Sequence, residues 1–194
     1  MTITINGNGT VTGVSVGGLP DGIVDTDMLA ANAVTAAKRG AGGILQVVTN
    51  SATASQSTTS TSYVDTGLTC NITTTGSNKV LCIVSQSYWL KRDGNYNYGG
   101  IKILRDSTKI LQILESGGSD TSPYELGASL GNTSQTRVFG RFNATVLDTP
   151  GSAATYTYKT QCAIYTNSDS GTFYTQADGT VVGKSYITLI EVAA

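Results

Sequence analysis

The sequence predicts a mainly β protein: an antiparallel, jelly-roll-like β-sandwich preceded by an extended N-terminal arm with one short helix. Three observations predict it. From residue 44 to the end, apolar and polar residues alternate in short runs, the period of strands half buried on one side. Turn chemistry separates these runs at short intervals, as in Asp148-Thr149-Pro150-Gly151 and Ala177-Asp178-Gly179. The first 43 residues have another texture, Gly-rich and then Ala-rich, and Gly40-Ala41-Gly42-Gly43 closes them off as a hinge. The chain is therefore read as two parts, an arm over residues 1–43 and a β domain over residues 44–194. No internal repeat of about 20–50 residues divides it further.

Within the arm, residues 1–18 are β-branched and Gly-rich, fit for short strands that bury little by themselves. Gly18-Leu19-Pro20-Asp21-Gly22 is a turn. The period then changes. Asp25 and Asp27 put negative charge at the start of an Ala-rich run, Lys38 and Arg39 put positive charge at its end, and Gly40 supplies the stop. These are the dipole and capping signals of a helix over about residues 25–39. A helix of that size is about 20 Å long and marginal in isolation. Its apolar stripe is narrow and suits packing against copies of itself. Leu19, Met28, Leu29, Ala33 and Ala36 are the candidate trimer or anchor contacts.

In the β domain, Ile44-Leu45-Gln46-Val47-Val48 reads as the first strand, and the Ser/Thr run over residues 51–61 as a loop or exposed edge. Residues 62–65 and 68–73 read as two short strands. Residues 79–90 form the longest strand; Val80-Leu81-Cys82-Ile83-Val84 is apolar on both faces, which predicts burial on both sides. Residues 91–100 read as a loop or hairpin tip, and residues 101–105 and 109–114 as a hairpin across Asp106-Ser107-Thr108. Residues 115–132 are Gly/Ser-rich and irregular. Val138, Phe142, Ala144 and Val146 share one face of the next strand, as do Tyr156, Tyr158, Cys162 and Ile164 of the one after it. Residues 172–175 and 184–192 complete the set. The total is roughly eight to ten strands with no helix after the hinge, which points to two packed antiparallel sheets.

Composition narrows the function. Of 194 residues, 12 are Lys or Arg and 13 Asp or Glu, for a net charge of −1. A near-neutral chain so poor in cations is not built to neutralise a phosphate backbone, so nucleic acid is not the expected partner. No apolar run of about 18 residues is present, so no membrane insertion is expected, and no secretory leader is visible. Histidine is absent. That removes Ser-His-Asp and Cys-His nucleophilic sites and the commonest zinc ligand. Cys70, Cys82 and Cys162 lie far apart with no C-x-x-C pair; they read as buried free thiols, with one disulfide between two of them as the alternative.

The remaining motifs carry no chemistry. Gly13-Val14-Ser15-Val16-Gly17 matches the nucleophile-elbow pattern, but no histidine exists to activate Ser15. Glu115, Asp120 and Glu125 sit in a Gly/Ser-rich stretch and read as solvated loop carboxylates. Asp21, Asp25 and Asp27 lack calcium-loop spacing. No catalytic residue, metal ligand or cofactor site is expected. The one suggestive constellation is aromatic: Tyr88, Trp89, Tyr96 and Tyr98 stand among Arg92 and Asn95. Amphipathic rings beside amides and a guanidinium suit contact with a glycan or a protein receptor. The plainer reading is that Trp89 is core and the tyrosines fill strand ends.

These features together resemble a known family. The segment TITINGNGTVTGVSVGGLPDGIVDTDMLAANAVTAAK resembles the attachment segments of tailed-bacteriophage fibre and virion structural proteins, those of cyanophages and marine phages above all. ILQVVTNS, STTSTSYVDTGLTCNITTTGSNKVLCIVS and the terminal SYITLIEVAA resemble the β domain that follows in that family. The likeness thins between about residues 88 and 135. It implies a homotrimer located on the virion, an arm that holds other virion proteins and an outward β domain, with no catalytic residue to carry over. The function expected is a non-enzymatic short tail fibre, anchored by its arm and contacting the host surface. A head decoration or cement protein is the alternative within virions, and a glycan-binding or glycan-cleaving module the alternative of another class.

Overall fold

The computed structural model describes residues 4–5, 11–12, 34, 38, 40–92, 96–112, 126–129, 136–164, 171–176 and 183–194. The chain divides into two compact units, Met1–Gly40 and Ala41–Ala194. The division falls just before the expected hinge ends, for a visible reason. Gly42 N–H donates to the Ala193 carbonyl and Ala193 N–H to the Gly43 carbonyl, both at 2.9 Å, so residues 42–43 are sewn to the C-terminus of the β domain.

In the first unit, β1 (Thr4–Ile5) pairs antiparallel with β2 (Val11–Thr12), bringing Thr4 opposite Thr12 and Ile5 opposite Val11. Of the expected helix only Val34 and Lys38 are described, and Lys38 has helical backbone. Leu19, Met28, Leu29, Ala33 and Ala36 lie outside the described residues.

The second unit is mainly β. Its strands are β3 (Ile44–Ala52), β4 (Gln56–Thr58), β5 (Val64–Thr73), β6 (Lys79–Arg92), β7 (Tyr96–Arg105), β8 (Thr108–Gln112), β9 (Leu126–Ser129), β10 (Thr136–Asp148), β11 (Thr155–Ile164), β12 (Thr172–Thr175) and β13 (Ser185–Val192). They form two antiparallel sheets. In the six-stranded sheet, β6 is central: β10 runs along one side for its whole length, while β13 and then β12 share the other, backed by β3 and β4. In the five-stranded sheet the order is β5-β11-β7-β8, with β9 completing the far half of β7.

Both sheets face one core. Val80, Cys82, Val84 and Leu90 of β6, Phe142 of β10, Phe173 of β12 and Ile187 and Leu189 of β13 meet Leu68, Cys70 and Ile72 of β5, Ile101 and Ile103 of β7 and Tyr158, Cys162 and Ile164 of β11. The alternation read for β10 and β11 is thereby borne out. Two close approaches require glycine. A Cβ on Gly99 would enter the Phe173 ring and come within 2.8 Å of the Ala163 carbonyl; one on Gly140 would enter the ring of Tyr88, its cross-strand partner.

Several expectations change. The run over residues 51–61, expected as a loop or exposed edge, is strand in part: β3 continues to Ala52 and β4 forms the sheet's short outer strand. Residues 64–73 form one strand, β5, in place of two; an irregularity between Lys159 and Gln161 absorbs the misfit of Thr66-Gly67 against β11. Residues 91–92 and 96–100 are strand, because β6 runs on to Arg92 and β7 begins at Tyr96, each held by its ladder partners; residues 93–95 lie outside the described residues. Part of the stretch read as irregular pairs with β7 as β9. Most instructive is β6, whose apolar run is not buried on both sides. Val80, Cys82 and Val84 are fully buried, but Ile83 is 37% exposed on the opposite face.

Cys70, Cys82 and Cys162 are buried free thiols. Burial pushes the Cys82 and Cys162 thiols up to about 12, so neither presents a thiolate near neutral pH. None of the three should react with a thiol-specific chromogenic reagent in the folded protein, and all three should react in denaturant. Rapid modification of native Cys82 would refute this placement.

Candidate functional site

The two sheets have unlike outer faces, and the difference starts in their sequences. On the five-stranded sheet the outward residues of β5 and β11 are Asp65, Thr69, Asn71 and Thr73 beside Thr155, Thr157, Lys159 and Gln161. They satisfy one another: Lys159 Nζ lies 2.9 Å from Asp65 Oδ2, Gln161 Nε2 donates to Asp65 Oδ1 at 2.7 Å, and the Thr73 and Thr155 hydroxyls are 2.8 Å apart. Burial works to raise the Asp65 carboxyl, but the Gln161 and Lys159 hydrogen bonds and the Lys159 charge hold it below its ordinary value. This face is made for water.

The outer face of the six-stranded sheet is not. Of eight well-exposed large apolar side chains among the described residues, six lie on it: Ile44, Val47, Ile83, Phe139, Leu147 and Tyr186. Ladder register arranges them in rows across the strands. At the end where the arm joins, Val47, Ile190, Leu81 and Leu147 form one aliphatic row across β3, β13, β6 and β10. Ile44 lies on one side of it and Ile83 on the other. A polar belt follows, with Tyr186, Ser85 and Asn143 in register. Ser85 Oγ donates to Asn143 Oδ1 at 2.6 Å, and Arg141 Nε donates to Ser85 Oγ at 2.7 Å.

The far end carries an aromatic ladder. Tyr174 of β12, Trp89 of β6 and Phe139 of β10 are cross-strand neighbours. Trp89 stacks on Phe139 with centroids 5.4 Å apart and on Tyr174 at 4.3 Å. The Arg137 guanidinium lies 5.3 Å from the Trp89 ring centre, and Lys184 Nζ lies 5.2 Å from that of Tyr186. About eight residues of strand, roughly 26 Å, separate this ladder from the aliphatic row.

Of the aromatic cluster expected from the sequence, Tyr88, Trp89 and Tyr98 are not brought together. Tyr88 and Trp89 are consecutive, so they point to opposite faces of β6. Tyr88 turns inward, half-buried, with its ring 5.8 Å from Phe173. Trp89 turns outward but is covered by its stacking partners. Tyr98 belongs to β7 and hence to the other sheet. The side chains of Arg92, Asn95 and Tyr96 lie outside the described residues. Sequence reasoning missed Arg137, Phe139, Arg141, Tyr174 and Lys184. Their signal was present in part: if Val138 and Phe142 face inward, then Arg137, Phe139 and Arg141 face outward.

One buried and one half-buried carboxylate cluster sit at the arm end of the core, and both are structural. Glu191 is fully buried. It accepts from Gln46 Nε2 at 2.5 Å, Thr75 N at 2.8 Å, Thr75 Oγ1 at 3.0 Å and Asn78 Nδ2 at 2.7 Å. Asp148 Oδ2 accepts from Arg105 at 2.6 Å and from the Tyr158 hydroxyl at 2.7 Å. Burial and the Asp148 carboxylate raise the Tyr158 phenol far above its ordinary value. Among the described residues no group of three or more His, Cys, Asp or Glu gathers to hold a metal ion. No protein-family model matches the chain, and no curated protein matches it.

Proposed function

We propose that this chain is a non-enzymatic virion structural protein: a short homotrimeric tail fibre whose residues 1–43 anchor it to other virion proteins and whose jelly-roll-like β-sandwich faces the host. The observation that carries the reading is the aliphatic row Val47–Ile190–Leu81–Leu147 at the arm end of the six-stranded sheet's outer face. Val47 and Leu147 are exposed and Ile190 and Leu81 half-buried, and contiguous aliphatic side chains on an outer sheet face mark a surface that is covered in use. Four strands about 4.8 Å apart and some six residues of length give this strip roughly 400 Å². A stable interface takes about 800 Å² per partner, so the strip closes an assembly only together with the arm. Copies gathered by their arms place their strips side by side at the same end. The family resemblance of the arm and the absence of histidine support the same reading.

Light scattering on the full chain should give the mass of three copies. Ile83→Asp combined with Leu147→Asp should shift that mass towards one copy at micromolar concentration, with the β-sheet circular dichroism unchanged. A monomeric wild-type mass would sink the proposal. Antibodies against the β domain, applied to intact particles, should label the tail; label over the capsid would replace the fibre by a decoration protein.

A further inference from the structure

We propose that the far half of the outer face of the six-stranded sheet binds an anionic polysaccharide, a chain of carboxylated or sulfated sugars. The inference rests on the reading that this domain faces a host surface, and it names the chemistry that surface would present. The first observation is segregated charge. Lys91, Arg137, Arg141 and Lys184 lie on this half-face, and no Asp or Glu occupies an outward position on β3, β13, β6, β12 or β10. The whole chain has a net charge of −1, so these cations are concentrated here against the average.

The second observation is that, among the described residues, no carboxylate pairs with these cations. Arg141 donates through Nε to Ser85 Oγ at 2.7 Å and through its terminal nitrogen to the Lys184 carbonyl at 2.6 Å. Both partners are neutral. The guanidinium is therefore fixed across β6 with no carboxylate beside it among the described residues and with donors left over after these two bonds, the arrangement that matches a carboxylate or sulfate bidentately. Arg137 and Lys91 are direct cross-strand partners on the same face. Like charges placed opposite each other in a sheet are destabilising, and a bound polyanion relieves them.

The third observation selects a sugar among the polyanions. Phe139 is 57% exposed and stacks on Trp89 from β10, which has a neighbour on only one side among the described residues. Its other ring face is thus turned to the open edge of the sheet. Phe139 stands two residues from both Arg137 and Arg141 on one face, about 7 Å from each along the strand. One ring to stack on the apolar face of a sugar, flanked by cations for its acidic groups and by Ser87 and Asn143 for its hydroxyls, is a saccharide platform. A second copy of this chain would set like charges against each other and does not fit.

The test is affinity electrophoresis of the full chain in gels containing polygalacturonate, dextran sulfate or neutral dextran, with polyglutamate and duplex DNA as soluble competitors. Retardation by polygalacturonate or dextran sulfate but not by dextran is expected, weakening with added salt. Arg141→Gln and Phe139→Ser should each weaken it roughly tenfold, the scale of one charged hydrogen bond or one ring contact. Lys159→Gln, on the other sheet, should leave it unchanged. Arg137→Gln serves in place of either variant whose melting temperature falls. Retardation by neither acidic polysaccharide would overturn the proposal. So would competition by polyglutamate or DNA as effective as that of the saccharide, which would mean an acidic protein or unselective ion exchange. A trimer that is not retarded removes the glycan and leaves the fibre; a retarded monomer does the reverse.

Discussion

Replacing Glu191 by alanine is expected to lower the unfolding free energy by about 3 kcal/mol, the upper range for hydrogen bonds to a buried charge. The carboxylate is fully buried and takes hydrogen bonds from β3, from the turn that precedes β6 and from the backbone of Thr75. Without it, Gln46, Thr75 and Asn78 lose their shared acceptor; Thr75 is exposed and Gln46 and Asn78 are half-buried, so water replaces it only in part. Glu191→Gln should cost less, because one oxygen acceptor survives. The same site sets an acid dependence. Burial alone would raise the Glu191 carboxyl, but its donors outweigh that and hold it below the ordinary glutamate value. The stability it contributes is therefore fully present above the unfolded value, near 4.3, and is lost as pH falls through the lower folded value. Urea unfolding of wild type and Glu191→Gln at pH 7 and at pH 3 measures both effects. The difference between the two proteins should shrink at the lower pH; an equal difference at both would refute the role assigned to the carboxylate.

Asp148→Ala should be nearly as damaging, by roughly 2–4 kcal/mol, because it strands two donors at once. Asp148 ends β10, and its Oδ2 joins Arg105 of β7 to Tyr158 of β11, so one carboxylate ties the two sheets together. The Arg105 and Asp148 side chains keep 17% and 11% of their exposure, so the cost stays below that of a wholly buried pair. Tyr158 is fully buried, and its hydroxyl loses its acceptor. Adding Tyr158→Phe to Asp148→Ala should then cost little more, since the orphaned hydroxyl leaves with it. Chemical denaturation of the two single variants and the double checks this. Additive losses would show that the Tyr158–Asp148 hydrogen bond does not couple the sheets.

The strands were largely legible in the sequence. Alternation placed Val138, Phe142, Tyr158 and Cys162 inside, because a period of two follows from local backbone geometry alone. The candidate site was legible only in pieces. Tyr88, Trp89 and Arg92 are near neighbours in sequence, yet consecutive strand residues point apart, and β6 and β7 belong to different sheets. The apolar run Val80-Leu81-Cys82-Ile83-Val84 is the clearest case of an ambiguous pattern. A strand apolar on both faces is either buried twice or has one face waiting for a partner, and periodicity is the same in both cases.

By itself the sequence determined what depends on near neighbours: mainly β structure, inward residues of each strand, buried thiols and a change of texture at Gly40. Only the tertiary structure decided that Tyr174, Trp89 and Phe139 form one ladder, that Arg141 reaches across β6 to Lys184, and that Val47, Ile190, Leu81 and Leu147 form one row. Those contacts join residues dozens of positions apart. They depend on strand order and register, which no local pattern encodes, and a slip of one residue in any ladder would turn each row to the other face.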